Sequence, residues 1–255
     1  RRAECKVQIS HVKCDFQKVW GKADKVLALI ENAVDEGLDV AGDQYPYPRS
    51  STGITGALFP RWALSGGREQ TLKIMANEDS RGELIDGINE MIDQGIGPEA
   101  VLIARYVPDE SLEGKNLAEI SDLMRIPPAE TVLSMYEKGE AMVIEYSMDE
   151  DDVDKFAKHP LIAVASDGSS VSKDGVLSVG KPHPRSYGTN PRFIQKFVNE
   201  KKLVSIQEAV RKMTSMPAQR LGLTNRGRLT PGYAADIVIM DLPNVEEKAT
   251  FVDPH

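Results

Sequence analysis

Long apolar runs, cysteines, aromatic residues and a surplus of basic charge are all scarce in this chain, and each scarcity excludes something. The tightest apolar cluster is of the kind Leu161-Ile162-Ala163-Val164-Ala165. That is far short of the roughly 18 residues a membrane-spanning helix needs, so no membrane is expected as a partner. The two cysteines, Cys5 and Cys14, have eight residues between them, which fits neither a zinc-ribbon pair nor a disulfide framework. They read as reduced thiols of a cytoplasmic protein. Aromatic residues make up only 6% of the chain, beside 41% hydrophobic and 27% charged residues. This is ordinary globular composition, neither disordered, collagen-like nor disulfide-rich. Acidic side chains outnumber basic ones, 39 against 31, for a net charge of −8. Without a basic stripe such a chain repels phosphate backbones, so nucleic acid is not an expected partner. An initiator methionine and a signal sequence are missing too. The chain opens Arg1-Arg2 and runs at once into strand-like Lys6-Val7-Gln8-Ile9, which reads as processing or truncation.

A length of 255 residues would suit a complete (β/α)8 barrel, which needs eight strand-helix units. The first unit is clear. Lys6 to Ile9 is β-rich, and Val19, Ala23, Val26, Leu27, Ile30, Ala33 and Val34 then recur at helical spacing. Gly37 stands where a helix C-terminus needs a residue tolerant of positive φ, and Leu38 to Ala41 follows as the next strand. Strand, amphipathic helix, strand is a βαβ unit with parallel neighbouring strands. From Tyr45 to about Gly97 the pattern changes, with Pro46, Pro48, Pro60 and the run Ser50-Ser51-Thr52-Gly53. A helix is predicted there from about Glu69 to Asp93. Further strands are predicted at Val101 to Ala104, Met142 to Glu145, Leu161 to Ala165 and Asp236 to Met240. Further helices are predicted near Pro128 to Lys138, Pro191 to Glu200, Ser205 to Met213 and Ala218 to Leu221. Ser205 and Glu208 have capping-box spacing. About six strands do not make a whole barrel.

Chemistry-bearing residues stand at three strand ends. His11 follows Ile9-Ser10, Asp43 precedes Tyr45-Pro46-Tyr47, and Asp167 follows Ala165-Ser166. The carboxyl ends of parallel strands are the favoured catalytic positions of α/β barrels, because their loops converge. A histidine and a carboxylate meeting there can ligate a divalent metal or exchange a proton with its water. Taken alone, a histidine after a strand is more often an ordinary hydrogen-bonded residue, and Asp167-Gly168 is a common turn dipeptide.

A longer set of strings points to one family. Ile9-Ser10-His11-Val12-Lys13, Asp43-Gln44-Tyr45-Pro46-Tyr47, Ala165-Ser166-Asp167-Gly168 and Pro182-His183-Pro184-Arg185-Ser186-Tyr187-Gly188-Thr189 occur in that order. Arg211 to Ala218, Leu221-Gly222-Leu223, Arg226 to Leu229, Gly232 to Val238 and Ala249-Thr250-Phe251 continue the pattern. With these motifs the chain resembles the N-acyl-D-amino-acid deacylases, D-aminoacylase-like members of the amidohydrolase superfamily. The resemblance is weakest between about residues 60 and 145.

The resemblance implies an α/β fold: a metal-dependent hydrolase (β/α)8 TIM barrel with zinc at its carboxyl end, and a small β-sandwich built from both chain termini. Residues 1–230 would be the carboxyl-terminal part of the barrel, with an insertion at about 47–148, and residues 231–255 part of the sandwich. His11 matches the histidine after the sixth barrel strand, a zinc ligand there. Asp167 matches the aspartate after the eighth strand, which ligates metal, takes a proton from the attacking water and returns it to the departing amine. Arg185 matches the arginine holding the substrate's free α-carboxylate, a task suited to a planar fork. Tyr45 and Tyr47 would line the pocket or serve structure, with Pro46 stiffening the strand exit. His183 would shape its loop, and Lys13 would be a solvated lysine or reach the site. The family's other ligands, a His-x-His pair, a cysteine or acidic residue and a further histidine, lie upstream of the position of His11 and have no counterpart here. Cys5 and Cys14 do not align with the ligand cysteine. Two ligands fall short of the three a catalytic zinc normally takes from protein, so this chain alone is expected to bind zinc poorly. The expected reading is therefore a truncated zinc-dependent hydrolase of N-acyl D-amino acids, taking a small substrate with a free carboxylate, with no oligomeric state implied. Alternatives are a dipeptidase or cyclic amidase of the same superfamily, or a non-catalytic fragment.

Overall fold

A computed structural model describes residues 5–255. Three parallel strands form the first sheet, in the order β1 (Val7–Ile9), β2 (Val40–Gln44) and β6 (Ile162–Val164). Val7 pairs with Val40, and Gly42 with Ile162. Between β1 and β2 runs α1 (Ala23–Asp35), so the expected βαβ unit is present. The second strand begins at Val40 rather than at the predicted Leu38. At the end of α1, Gly37 sits at φ +83°, its N–H donates to Val34 O at 2.8 Å, and the N–H of Leu38 donates to Ala33 O at 3.0 Å. This Schellman closure commits Leu38 to the helix end, so strand pairing starts beyond it.

After β2 the chain leaves at Pro48 and returns at Ser147, whose N–H donates to Pro48 O at 3.2 Å. Between those points lies a second, antiparallel sheet ordered β3 (Arg49–Gly53), β5 (Met142–Tyr146) and β4 (Val101–Arg105). It is covered by α2 (Ile54–Leu58), α3 (Arg61–Leu64), α4 (Gly67–Ala76), α5 (Glu78–Gln94), α6 (Leu117–Met124) and α7 (Pro128–Lys138). Leu84, Ile88, Ile103, Leu117, Ile120 and Val132 are fully buried in one core. The predicted helix from Glu69 to Asp93 is two helices. Asn77 between them takes an extended conformation and its side chain accepts the N–H of Ser80, so it caps α5 instead of continuing α4. Strand β3 falls on Ser50-Ser51-Thr52-Gly53, which sequence alone did not mark as a strand. Ser50 is held there by β5: its hydroxyl donates to buried Glu145 at 3.1 Å and receives that of Ser147 at 3.1 Å.

The chain then passes through α8 (Glu150–Lys158) into β6, and on to α9 (Arg185–Phe193), α10 (Ile206–Met213) and α11 (Ser215–Arg220). Behind the parallel sheet, Val12, Cys14, Leu27, Ile30, Phe156 and Ile162 make a core with α1 and α8. The predicted helix over Pro191 to Glu200 is the end of α9, with Pro191 inside it, running into a π-helical segment Ile194–Glu200. Ser205 accepts the N–H of Glu208, but the Glu208 carboxylate turns to Arg211 at 2.7 Å rather than back to the cap. Asp236 to Met240 is not a strand. Val238 is 81% and Ile239 95% exposed, and no strand lies beside them among the described residues, so β propensity there has no ladder to complete. The architecture is thus mixed α/β. Among the described residues no helix is long and apolar enough to cross a membrane.

Candidate active site

The carboxyl ends of β1, β2 and β6 lie side by side because the three strands are adjacent and parallel. His11 sits on the tight turn after β1 at φ +44°, and Asp167 follows β6 at φ +47°. Left-handed backbone is strained for side-chain-bearing residues and is found at functional sites when the surroundings hold it. For His11 the holder is Asp43 of β2. Its carboxylate accepts the N–H of His11 at 2.8 Å on one oxygen and the side-chain amide of Gln8 at 2.7 Å on the other. The strand-end residue of β2 therefore fixes that of β1.

From His11 an unbroken arc of polar contacts leads to Asp167. Lys13 Nζ lies 3.1 Å from His11 Nδ1 and 5.7 Å from the centroid of the Tyr45 ring. The Arg185 guanidinium lies 4.5 Å over the same ring, and Arg185 pairs with Asp167 at 3.0 Å. Tyr45 is buried and serves as the platform on which the guanidinium rests, a favourable cation–π geometry. Arg185 Nη2 also approaches Ser51 O at 3.4 Å, whereas its Nη1 is buried with no hydrogen-bond partner. A cavity of about 260 Å3 opens here, lined by Ser51, Arg105, Met142, Asp167, Ser169 and Arg185 among others.

Tyr47 is placed differently. It is buried, its hydroxyl donates to Glu247, and Arg192 stacks on its ring at 4.5 Å; neither Tyr47 nor Tyr45 is in the cavity lining, which Tyr45 meets only through Arg185. His183 shapes its loop through both ring nitrogens. Nδ1 accepts the N–H of Arg185 at 2.9 Å, which leaves Nε2–H to donate to Arg49 O at 3.0 Å. Burial, reinforced by the charge of Arg185, holds this imidazole neutral well below its ordinary range. Burial also lowers the Lys13 ammonium, with Asp15 and Asp167 opposing, and raises the Tyr45 phenol. Beneath the arc, burial and the nearby Asp15 push the Glu145 carboxyl up to about 7. Glu145 carried no signal in the sequence beyond its strand position, and Asp43, marked by its strand end and its motif, gave no sign that it holds His11, because these roles depend on neighbours more than 30 residues away.

Imidazole nitrogen and carboxylate oxygen are donor types that zinc takes. His11 and Asp167 carry donors of these types, with His11 Nδ1 facing Lys13 and the Asp167 carboxylate facing Arg185. Among the described residues no group of three or more His, Cys, Asp or Glu side chains converges to hold a metal ion. Cys5 is exposed, and Cys14 is buried in the core behind the sheet.

The model of the amidohydrolase family matches residues 99–255, more than half of the chain, and the chain belongs to that family. Within it, the N-acyl-D-glutamate deacylase of Alcaligenes xylosoxydans xylosoxydans is 32% identical over 254 residues. The N-acyl-D-aspartate deacylase of the same organism is 30% identical over 254 residues. These alignments take in 100% of this chain but 43% and 42% of the two relatives, so the chain spans less than half their length. Among solved structures, the N-acyl-D-glutamate deacylase of Bordetella bronchiseptica, complexed with zinc and a phosphonate mimic of the tetrahedral intermediate, superimposes with a TM-score of 0.75 at 28% identity. A D-aminoacylase with a binuclear metal centre gives 0.73 at 28% identity. Each covers 98% of this chain and is itself covered to 43%.

Proposed function

We propose that this chain is the carboxyl-terminal portion of a zinc-dependent N-acyl-D-amino-acid deacylase. In this reading β1, β2 and β6 are the last three strands of a (β/α)8 barrel. The excursion at about 47–148 is an insertion between the seventh and eighth strands, and residues from about 231 belong to a small β-sandwich. The observation that carries the reading is the seat of Arg185. A guanidinium stacked on Tyr45, paired to Asp167 through Nη2 and lining a cavity, with its buried Nη1 still lacking a hydrogen-bond partner, offers a planar fork for a second carboxylate. The substrate's free α-carboxylate meets Arg185, which sets the scissile amide beside Asp167.

His11 and Asp167 would hold zinc together with ligands from the upstream part of the protein, and the metal would polarise the acyl carbonyl and acidify the attacking water. Asp167, with its side chain 39% exposed, is open to that water. It accepts the water's proton as the C–O bond forms and delivers it to the amine nitrogen as the C–N bond breaks, so one carboxyl group serves as base and then acid. Arg185 beside it keeps the carboxylate oriented through both steps.

The test is hydrolysis by the full-length protein of N-acetyl-D-amino acids beside their L-isomers and cyclic amides. Release of free D-amino acids supports the reading, and exclusive ring opening overturns it. Asp167→Asn in the full-length protein is expected to lower kcat by at least about 100-fold, the lower end of what a general acid-base group supplies, with most metal still bound. Near-normal turnover removes Asp167 from the mechanism.

A further inference from the structure

Residues 247–255 lie along α9, the helix that begins with Arg185. At its far end, Glu247 Oε2 pairs with Arg192 at 2.8 Å while Oε1 accepts the hydroxyl of Tyr47. The backbone N–H of Glu247 donates to Gln195 at 2.7 Å, in the π-helical segment that continues α9. At its near end, the Phe251 ring meets His183 edge-on, with centroids 5.1 Å apart, and Arg49 lies over it at 4.9 Å. His255 contacts Tyr187 at 5.2 Å between them. A closed turn presents Phe251: the N–H of Thr250 donates to Asp253 O, and the N–H of Asp253 returns to the Thr250 hydroxyl, both at 2.8 Å. The contact is fitted. The Glu247 side chain is 9% exposed, and a Cβ at Gly188 would stand 2.7 Å from Glu247 Oε1 and 2.8 Å from the Tyr47 hydroxyl.

The helix needs such support. Pro191 inside α9 lacks an N–H for the carbonyl one turn earlier, and beyond Phe193 the backbone changes to π-helical bonding. Its own ladder is therefore interrupted between Tyr187 and Pro191, just past the turn that carries Arg185. His183, which Phe251 touches, accepts the N–H of Arg185 at 2.9 Å. Phe251 thus reaches the guanidinium-bearing residue through that ring, with Tyr47 packed edge-on against both rings.

We propose that Glu247 and Phe251 are positioning residues: the carboxyl-terminal strap clamps both ends of α9 and thereby aims Arg185 at the substrate's α-carboxylate. This rests on the reading of Arg185 as the carboxylate receptor. Neither residue reaches the reacting atoms, and each acts through the helix or through His183.

The test compares full-length wild type with Phe251→Ala, Glu247→Gln and Phe251→Tyr. Kinetics are measured on an N-acetyl-D-amino acid and on its α-carboxamide, which lacks the carboxylate. Phe251→Ala is expected to raise KM for the acid by about 10-fold or more, the size of a weakened hydrogen bond to a charged group, with kcat nearly unchanged. KM for the carboxamide stays where it was, and Phe251→Tyr behaves as wild type. Equal losses on acid and carboxamide, or no change on either, overturn the proposal. Amide hydrogen exchange supplies a readout independent of activity. Both Phe251→Ala and Glu247→Gln should speed exchange across residues 183–193, and unchanged exchange in both overturns the strap. If wild type cleaves no N-acyl-D-amino acid, the deacylase reading fails while the exchange result still decides whether the strap holds α9.

Discussion

Lys212 allows a sharp test of how the parallel sheet is secured. It is fully buried on α10, and its Nζ donates to Ile162 O at 2.6 Å, at the start of β6, and to His159 O, at the end of α8. Burial pushes its ammonium from 10.5 down to about 8, with Glu208 opposing the shift. At 1.36 kcal/mol per pKa unit, the charged form costs the folded chain about 3 kcal/mol relative to the unfolded one. Between pH 8 and 10.5 the unfolded lysine keeps a proton that the folded one has released, so this group raises stability with pH. The cost is full below pH 8 and gone above 10.5. A neutral amine still has two N–H groups for two carbonyls, so the hydrogen bonds survive deprotonation. Lys212→Met removes both the titration and the donors. At pH 7 the relieved charge offsets much of the penalty for the carbonyls, about 1–3 kcal/mol each, and the two proteins should lie close together. By pH 9.5 wild type should have gained about 2 kcal/mol on the variant. Urea unfolding followed by tryptophan fluorescence measures this, since Trp20 Nε1 donates to Ser147 O at 2.9 Å at the foot of the second sheet. A wild-type advantage that is the same at both pH values would refute a buried, depressed Lys212.

Two further perturbations probe the same framework. Asp152 on α8 accepts the N–H of Gly21 at 2.7 Å and that of Ala23 at 3.0 Å, so Asp152→Ala orphans two donors at the start of α1. It should cost about 2–4 kcal/mol in urea unfolding, and a loss under about 0.5 kcal/mol would contradict this. Cys14 is 3% exposed, and burial together with Asp152 pushes its thiol up to about 11. At pH 8 a thiol reagent should therefore modify Cys5 in the folded chain and reach Cys14 only on unfolding. Rapid reaction of both thiols in the native state would show that the core behind β1 and β2 opens.

Much of the candidate site's placement was legible because residues at the carboxyl ends of adjacent parallel strands are brought together, and strand ends are local features. His11, Asp43 and Asp167 each stand just past or at the end of a strand whose apolar run marks it. What the residues themselves do was less legible. Asp43 was singled out for its position, but that it holds the His11 turn depends on the register of β1 against β2. Tyr45 and Tyr47 look equivalent in sequence, two residues apart, yet one carries Arg185 and the other binds Glu247. Serine-rich β3 escaped notice because its stability comes from β5 and a buried carboxylate rather than from its own propensity. Asp236 to Met240 misled in the opposite sense, with strand propensity and no neighbouring strand.

The sequence by itself determined the helix boundaries set by Gly37 and Ser205, the helix Pro128–Lys138, the strands around Val7, Val101, Met142 and Ile162, and the order of the motifs. All of these depend on residues within a turn or two of one another. Tertiary structure decided which strands became neighbours, that the tail folds back along α9, and how far Lys212, Glu145 and Cys14 are shifted from their ordinary protonation. The reason is physical. Pairing and desolvation are set by groups remote along the chain, as Tyr47 and Glu247 are across 200 residues, and no local pattern encodes which distant side chain will exclude the water.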